Sequence, residues 1–221
     1  MLSMGRRRIE PELLDHAEPE EARKSLADLV RLNSRFGGHG ILRGLLAGVV
    51  QPGEGFSLLD VGAASGDTAR FVQELYPRAT VVSLDRNATN LALAPSPRLR
   101  GDAFHLPFAA GSFAFVFTSL FLHHFQDSEI VDLLRSFRHI ARRAVLLSDL
   151  ERHIVSYCFL PATRWLYGWH RLTVHDGPIS VRAAFTASEL RDLATRAGLH
   201  VAGVTTHHPS FRISLVGNCT G

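Results

Sequence analysis

One stretch constrains the fold more than any other: Leu58-Leu59-Asp60-Val61-Gly62-Ala63-Ala64-Ser65-Gly66-Asp67. An apolar run ends in an acid, a loop of tiny residues follows, and a helical pattern starts at about Ser65. This reads as strand, tight turn and helix. A turn without bulky side chains lets a ligand lie against backbone. The helix N-terminus behind it presents free N–H groups and a partial positive charge, which favour an anionic group. A glycine-rich turn is also an ordinary βα connection, so the remaining chain has to decide.

That chain alternates strand and helix. The pattern predicts strands at 56–61, 80–84, 98–100, 113–119 and 144–148. Helices are predicted at 65–76, 87–94 and 127–141, the last with Asp127 as N-cap. Such alternation implies right-handed crossovers and a parallel sheet covered on both faces. An aromatic-rich helical segment at 154–170 and a loop through Asp176-Gly177-Pro178 interrupt the rhythm. The capping box Thr186-Ala187-Ser188-Glu189 resumes it. Strands at 201–205 and 211–216 then close on a turn so short that the last must be antiparallel. Ahead of the alternation lie two helical stretches, 19–36 and 40–50, preceded by a solvated tail at 1–9. The expected fold is α/β: a Rossmann-like, doubly wound, mostly parallel seven-stranded sheet with an antiparallel last strand. Residues 1–50 are expected as an N-terminal helical cap and 51–221 as the main domain, with a lid inserted at about 151–184.

With 221 residues, 46% of them hydrophobic, the chain can bury a sizeable core. All but one of the 24 basic residues are Arg and the net charge is only +3, which reads as compositional bias rather than a nucleic-acid footprint. The two cysteines have no metal-ligand spacing, so no metal is expected and a reducing, cytoplasmic setting is. No apolar run reaches ~18 residues, so no stable membrane insertion is expected, and the N-terminus lacks a signal-peptide core. A monomer or homodimer is expected.

In open α/β sheets ligands bind outside the carboxyl ends of the strands. The second strand ends at Asp85, whose carboxylate can accept from both hydroxyls of a ribose. The third runs into Gly101-Asp102-Ala103-Phe104-His105-Leu106-Pro107-Phe108, and the fourth into Thr118-Ser119-Leu120-Phe121-Leu122-His123-His124-Phe125. With these motifs in order, residues 56–148 resemble the class I S-adenosylmethionine-dependent methyltransferases. The likeness is greatest to the small-molecule branch that includes the ubiquinone/menaquinone methyltransferases. The resemblance implies S-adenosylmethionine as cofactor. Gly62, Ala63 and Gly66 would approach its methionine part, with Asp60 and Asp67 close by. Asp85 would hold the ribose, with Arg86 beside it. Asp102 would accept from the adenine amino group, the Ala103 N–H would donate to the ring, and Phe104 would flank it. Ser119 and Leu120 would line the methyl-donor side. Asp60 equally suits turn stabilisation, and Asp102 a turn cap. Two departures stand out: Ala64 replaces the loop's usual middle glycine, and Ala114 an acid often found in the fourth-strand motif.

Methyl transfer depends on aligning acceptor, methyl and sulfur; a base helps where the acceptor is a hydroxyl. His123 and His124 follow the fourth strand and are the candidate bases, a structural role being the alternative. In the lid, Tyr157, Trp165, Tyr167, His170 and Arg182 are candidates to touch the acceptor or to form lid core. No NPP[YF] tetrapeptide and no basic-aromatic stripe is present, which disfavours nucleic acid. The expected partner is a small phenolic, quinone or polyketide-like acceptor. Residues Leu26 to Gly38 also loosely resemble bacterial methyltransferases found beside type III polyketide synthases. Oxygen is the favoured acceptor atom, carbon the runner-up. A nicotinamide-dependent oxidoreductase is a rival, but G-x-G-x-x-G spacing and a Tyr-x-x-x-Lys pair are both missing. A non-catalytic binding module is the other rival.

Overall fold

The computed structural model describes residues 4–219. Its seven strands are β1 (Ser57–Val61), β2 (Thr80–Asp85), β3 (Arg98–Arg100), β4 (Phe113–Ser119), β5 (Ala141–Leu150), β6 (His200–His207) and β7 (Arg212–Asn218). They form one sheet in the order β3-β2-β1-β4-β5-β7-β6. The pairs among β1 to β5 are parallel, and β7 runs antiparallel to both β5 and β6. This is the expected doubly wound, Rossmann-like arrangement. Successive residues of β1 supply both faces of the sheet, as the strand period requires. Leu58 packs with Val81, Phe115 and Leu146 under α2 (Gly38–Ala47) and α3 (Asp67–Leu75). Leu59 and Val61 pack with Val116, Val145 and Leu147 under α5 (Asp127–Ile140) and α8 (Ala187–Arg196). The central strands are buried on both sides, which explains their unbroken apolar runs.

The register brings the strand ends to one edge. Val61 stands opposite Leu84 and Thr118, Asp85 opposite Arg100, Ser119 opposite Ser148, and Leu150 opposite Arg212. Over this edge lie α1 (Pro19–Arg35), α6 (Ile154–Tyr167) and α7 (Arg171–Ala183), with the short α4 (Ala88–Leu91) beside β2. No described helix is long and apolar enough to cross a membrane.

Four local expectations are corrected. α3 begins at Asp67, not Ser65, because Ala64 (φ +44°) and Gly66 (φ +72°) turn through left-handed conformations that a helix cannot contain. Gln126 rather than Asp127 caps α5, with Glu129 folded back onto its N–H. The expected loop at Asp176-Gly177-Pro178 lies inside α7. Docking overrides the breakers there. The Asp176 carboxylate accepts from the Leu13 and Leu14 N–H groups, and Gly177 sits so close to Leu160 that a Cβ would come within 2.2 Å of it. Finally, the basic tail is not wholly solvated. Arg7 is nearly buried, donates to the carbonyls of Ala183 and Phe125, and lies 4.2 Å over the Phe185 ring. Residues 1–3 of that tail lie outside the described residues.

Candidate active site

A cavity of about 820 Å³ opens along the strand ends. At one end its wall is Gly62, Ala64, Asp85, Arg86, Gly101, Asp102, Ala103, Phe104 and Leu120. Asp85 organises this end: one carboxylate oxygen accepts from the Ala64 N–H at 2.7 Å, the other from the Asn87 N–H at 2.8 Å. The Gly62 and Ala63 N–H groups both donate to the Leu84 carbonyl, so the loop is folded back onto β2. The Ala64 departure falls where the backbone is left-handed, which is why glycine is usual there and why one methyl is tolerated at a small cost. The exposed Asp102 accepts from the Phe104 N–H at 3.0 Å and pairs with His105; these contacts hold its carboxyl below the ordinary range.

Behind the loop, Asp67 takes hydrogen bonds from Asn33 at 3.0 Å and His39 at 2.9 Å, tying α1 and α2 to the start of α3. Asn33 also accepts from Arg212. Arg212 is buried, and burial, opposed by Asp149 and Asp67, pushes its guanidinium down to about 10. Its Nη1 has no partner among the described residues, yet the side chain lines the cavity. An orphaned buried donor of this kind is a costly feature unless a ligand satisfies it. Asp60 is buried with Oδ2 unpartnered; burial, together with the charges of Asp85 and Asp67, pushes its carboxyl up to about 8 against a hydrogen bond with Thr68.

At the other end Leu26, Leu29, Phe36, Phe159, Leu160 and Phe211 give a largely apolar wall, interrupted by Ser25, Thr173, Asp176 and Ser180 and by a cluster around His123. His123 is buried, and its Nδ1 lies 2.6 Å from Asp149. Asp149 also accepts from the Phe121 and Leu122 N–H groups. On the cavity side, Glu12 lies 3.8 Å from His123 Nε2 and 3.9 Å from His124 Nδ1 and accepts from the Ser180 hydroxyl. Burial disfavours a charged His123, but Asp149 and then Glu12 outweigh it and raise the imidazole to about 9. The same contacts hold Glu12 and Asp149 low despite their burial.

The structure thus brings Gly62, Asp85, Arg86, Asp102, Ala103, Phe104, Leu120, His123 and His124 to one cavity. Asp60, Ala63, Gly66, Asp67 and Ser119 sit behind that wall rather than in it. The five lid candidates do not line it. Tyr157 is one position round from the cavity-facing Ser156, Phe159 and Leu160, and Trp165 is 84% exposed. Tyr167 packs between Phe36 and Trp169, His170 caps α7 beside Glu21, and Arg182 pairs with Glu10. Sequence reasoning missed Glu12, Asp149 and Arg212. Asp149 is an acid next to the end of β5, much as Asp85 ends β2, and Arg212 is a charge opening an apolar strand; both were signals. Glu12 carried none beyond its acid type.

Residues 59–147 match the family model described as "Methyltransferase domain". No curated protein matches the sequence. Among solved structures, a SAM-dependent methyltransferase from Aquifex aeolicus is similar, with TM-score 0.67 and 16% identity over 92% of this chain and 100% of that one. So is magnesium protoporphyrin IX methyltransferase (ChlM) from Synechocystis with bound SAM, at TM-score 0.58 and 15% identity over 86% of this chain and 83% of that one. The pyocyanin biosynthetic protein PhzM gives 0.59 and 21% over 84% and 55%. The site fits the cofactor: an acid at the end of β2, a backbone-lined turn, and a buried guanidinium with one nitrogen unpartnered among the described residues. Residues 59–147 thus match a methyltransferase domain, the sheet around them has the fold of SAM-dependent methyltransferases, and both support S-adenosylmethionine as the cofactor.

Proposed function

We propose that the chain transfers a methyl group to a hydroxyl of a small aromatic, quinone or polyketide-like acceptor. The observation that carries this reading is the cluster of Glu12, His123 and His124 set into a largely apolar half-cavity, continuous with the cofactor end. When bound, the cofactor supplies an already activated methyl, so the chain's task is positioning. Asp85 would hold the ribose, Asp102 and the Ala103 N–H the adenine, and Arg212 the carboxylate. Leu26, Leu29, Phe36 and Phe159 would hold a flat apolar acceptor and exclude water. The Glu12–His123–His124 cluster would orient the acceptor hydroxyl, and His124 would draw off its proton while Asp149 and Glu12 hold His123 protonated. Residues 1–50 and the α6–α7 lid act here as the roof that shapes acceptor choice. Two proteins of similar fold, a magnesium protoporphyrin IX methyltransferase and a pyocyanin biosynthetic protein, are named for aromatic molecules, which agrees with this preference.

The test is turnover of a panel of phenols and quinols, with product mass and NMR separating O- from C-methyl. His124→Ala is expected to lower kcat by about 10²-fold or more while leaving S-adenosylhomocysteine affinity intact. Full activity in both His123→Ala and His124→Ala would remove the proton-transfer role. Methyl found on carbon would replace the hydroxyl reading.

A further inference from the structure

We propose that Glu12, His123 and His124 hold a divalent metal ion of the zinc type at the acceptor end of the cavity. Their donor atoms, one carboxylate oxygen and two imidazole nitrogens, all lie within 4.8 Å of one another. Glu12 Oε1 is 3.8 Å from His123 Nε2 and 3.9 Å from His124 Nδ1. Metal bonds of about 2.0–2.2 Å place such donors roughly 3–3.5 Å apart. Small side-chain rotations close that gap.

The surroundings are those a metal site needs. The Nδ1 of His123 faces Asp149 at 2.6 Å, and two backbone N–H groups keep that carboxylate an acceptor. The ring therefore donates from Nδ1 and points Nε2 toward Glu12, and an ion bound there would displace the Nε2 proton. A carboxylate behind a histidine in this way fixes ring orientation and raises its strength as a ligand. Glu12 is held by the Ser180 hydroxyl, and the following turn is pinned where Leu13 and Leu14 donate to Asp176. Two imidazoles with one carboxylate suit zinc, cobalt, iron or manganese rather than the all-oxygen sites of calcium and magnesium. Three protein ligands leave coordination positions open to the cavity, as in catalytic rather than structural sites. The binding claim stands on geometry alone. The ion's role, acidifying an acceptor hydroxyl in place of a histidine base, rests on the function proposed above.

The full-length protein, stripped with a chelator and dialysed, would be titrated with cobalt chloride as a spectroscopic probe. The expected result is a visible absorption band that saturates at one ion per chain and disappears on adding zinc. His124→Ala and Glu12→Gln should each abolish it. No band in the wild type, or a band that both variants keep, overturns the proposal. Calorimetric binding of S-adenosylhomocysteine to the metal-free wild type is the separate readout for methyltransferase character. Cofactor binding without cobalt binding sinks the metal site alone. Cobalt binding without cofactor binding sinks the methyl-transfer reading and leaves the metal site standing.

Discussion

The two ends of the cavity are built differently. The cofactor end is made of short segments that each leave a neighbouring strand: Gly62 and Ala64 after β1, Asp85 and Arg86 after β2, Gly101 to Phe104 after β3, and Leu120 after β4. The acceptor end is made of pieces that meet only once helices have docked. Glu12 comes from the N-terminal segment, Leu26 and Leu29 from α1, Phe159 from α6 and Ser180 from α7. In a parallel sheet a strand end is a place in space as well as in sequence. A residue on a docking helix has no such address until its face is known.

The sharpest way to break the cofactor end is Asp85→Ala. The substitution removes the proposed ribose contact and also the two N–H bonds that fold the loop, at 2.7 Å and 2.8 Å. Hydrogen bonds to a charged group contribute about 1.5–3 kcal/mol each. S-adenosylhomocysteine affinity should therefore fall by about 10²-fold or more, measured by calorimetry. An unchanged affinity would take Asp85 out of the site.

A smaller effect tests the wall behind the loop. Asp60 is buried with its carboxyl raised to about 8, so the folded protein keeps a proton that the unfolded chain has lost above its ordinary carboxylate range. The folded state then binds more protons, and stability declines as pH rises from about 4 to about 8, by about 1.4 kcal/mol per unit at most. Above that window the contribution is flat. Asp60→Asn cannot ionise and should remove this slope; thermal unfolding of both proteins between pH 5 and pH 8 measures it. Parallel curves would mean that Asp60 is ionised in the fold.

Smaller again is Gly62→Ala. Gly62 has φ +75°, and a Cβ there would lie 2.5 Å from the Phe121 ring. The left-handed conformation alone costs a side chain about 1–2 kcal/mol, which predicts a Tm lower by several degrees in a chain of this size. The ring must also move, and it borders the cavity, so cofactor affinity should weaken together with stability. A variant as stable as the wild type would show that the loop relaxes freely.

What the sequence made legible follows the same division. Strand periodicity and apolar runs placed β3 and β4 to the residue, and the motifs after them located most of the cofactor wall. The misses have physical causes. Pro178 and Gly177 signal a loop, but contacts with Leu160 and the Leu13–Leu14 backbone keep them helical. Glu12 acquires its role only from tertiary docking beside His123. The lid aromatics were chosen by residue type, whereas the cavity selects a helix face. Ser156, Phe159 and Leu160 share that face, and Tyr157 and Trp165 do not.

That last distinction gives the smallest predicted effect. Trp165 is 84% exposed, and its ring contacts the Arg164 guanidinium rather than the cavity. Phe159 lines the cavity and packs edge-on against Phe36, ring centres 5.1 Å apart. The two residues lie on one helix, both aromatic, and differ mainly in the direction they face. Trp165→Ser should change stability by no more than about 0.5 kcal/mol and leave acceptor KM and kcat unaltered, whereas Phe159→Ala should raise acceptor KM. Steady-state kinetics of the pair against one methylated phenol decide the point. If Trp165→Ser raises KM and Phe159→Ala does not, acceptors reach the site across the outer face of α6, and the apolar half-cavity is not where they bind.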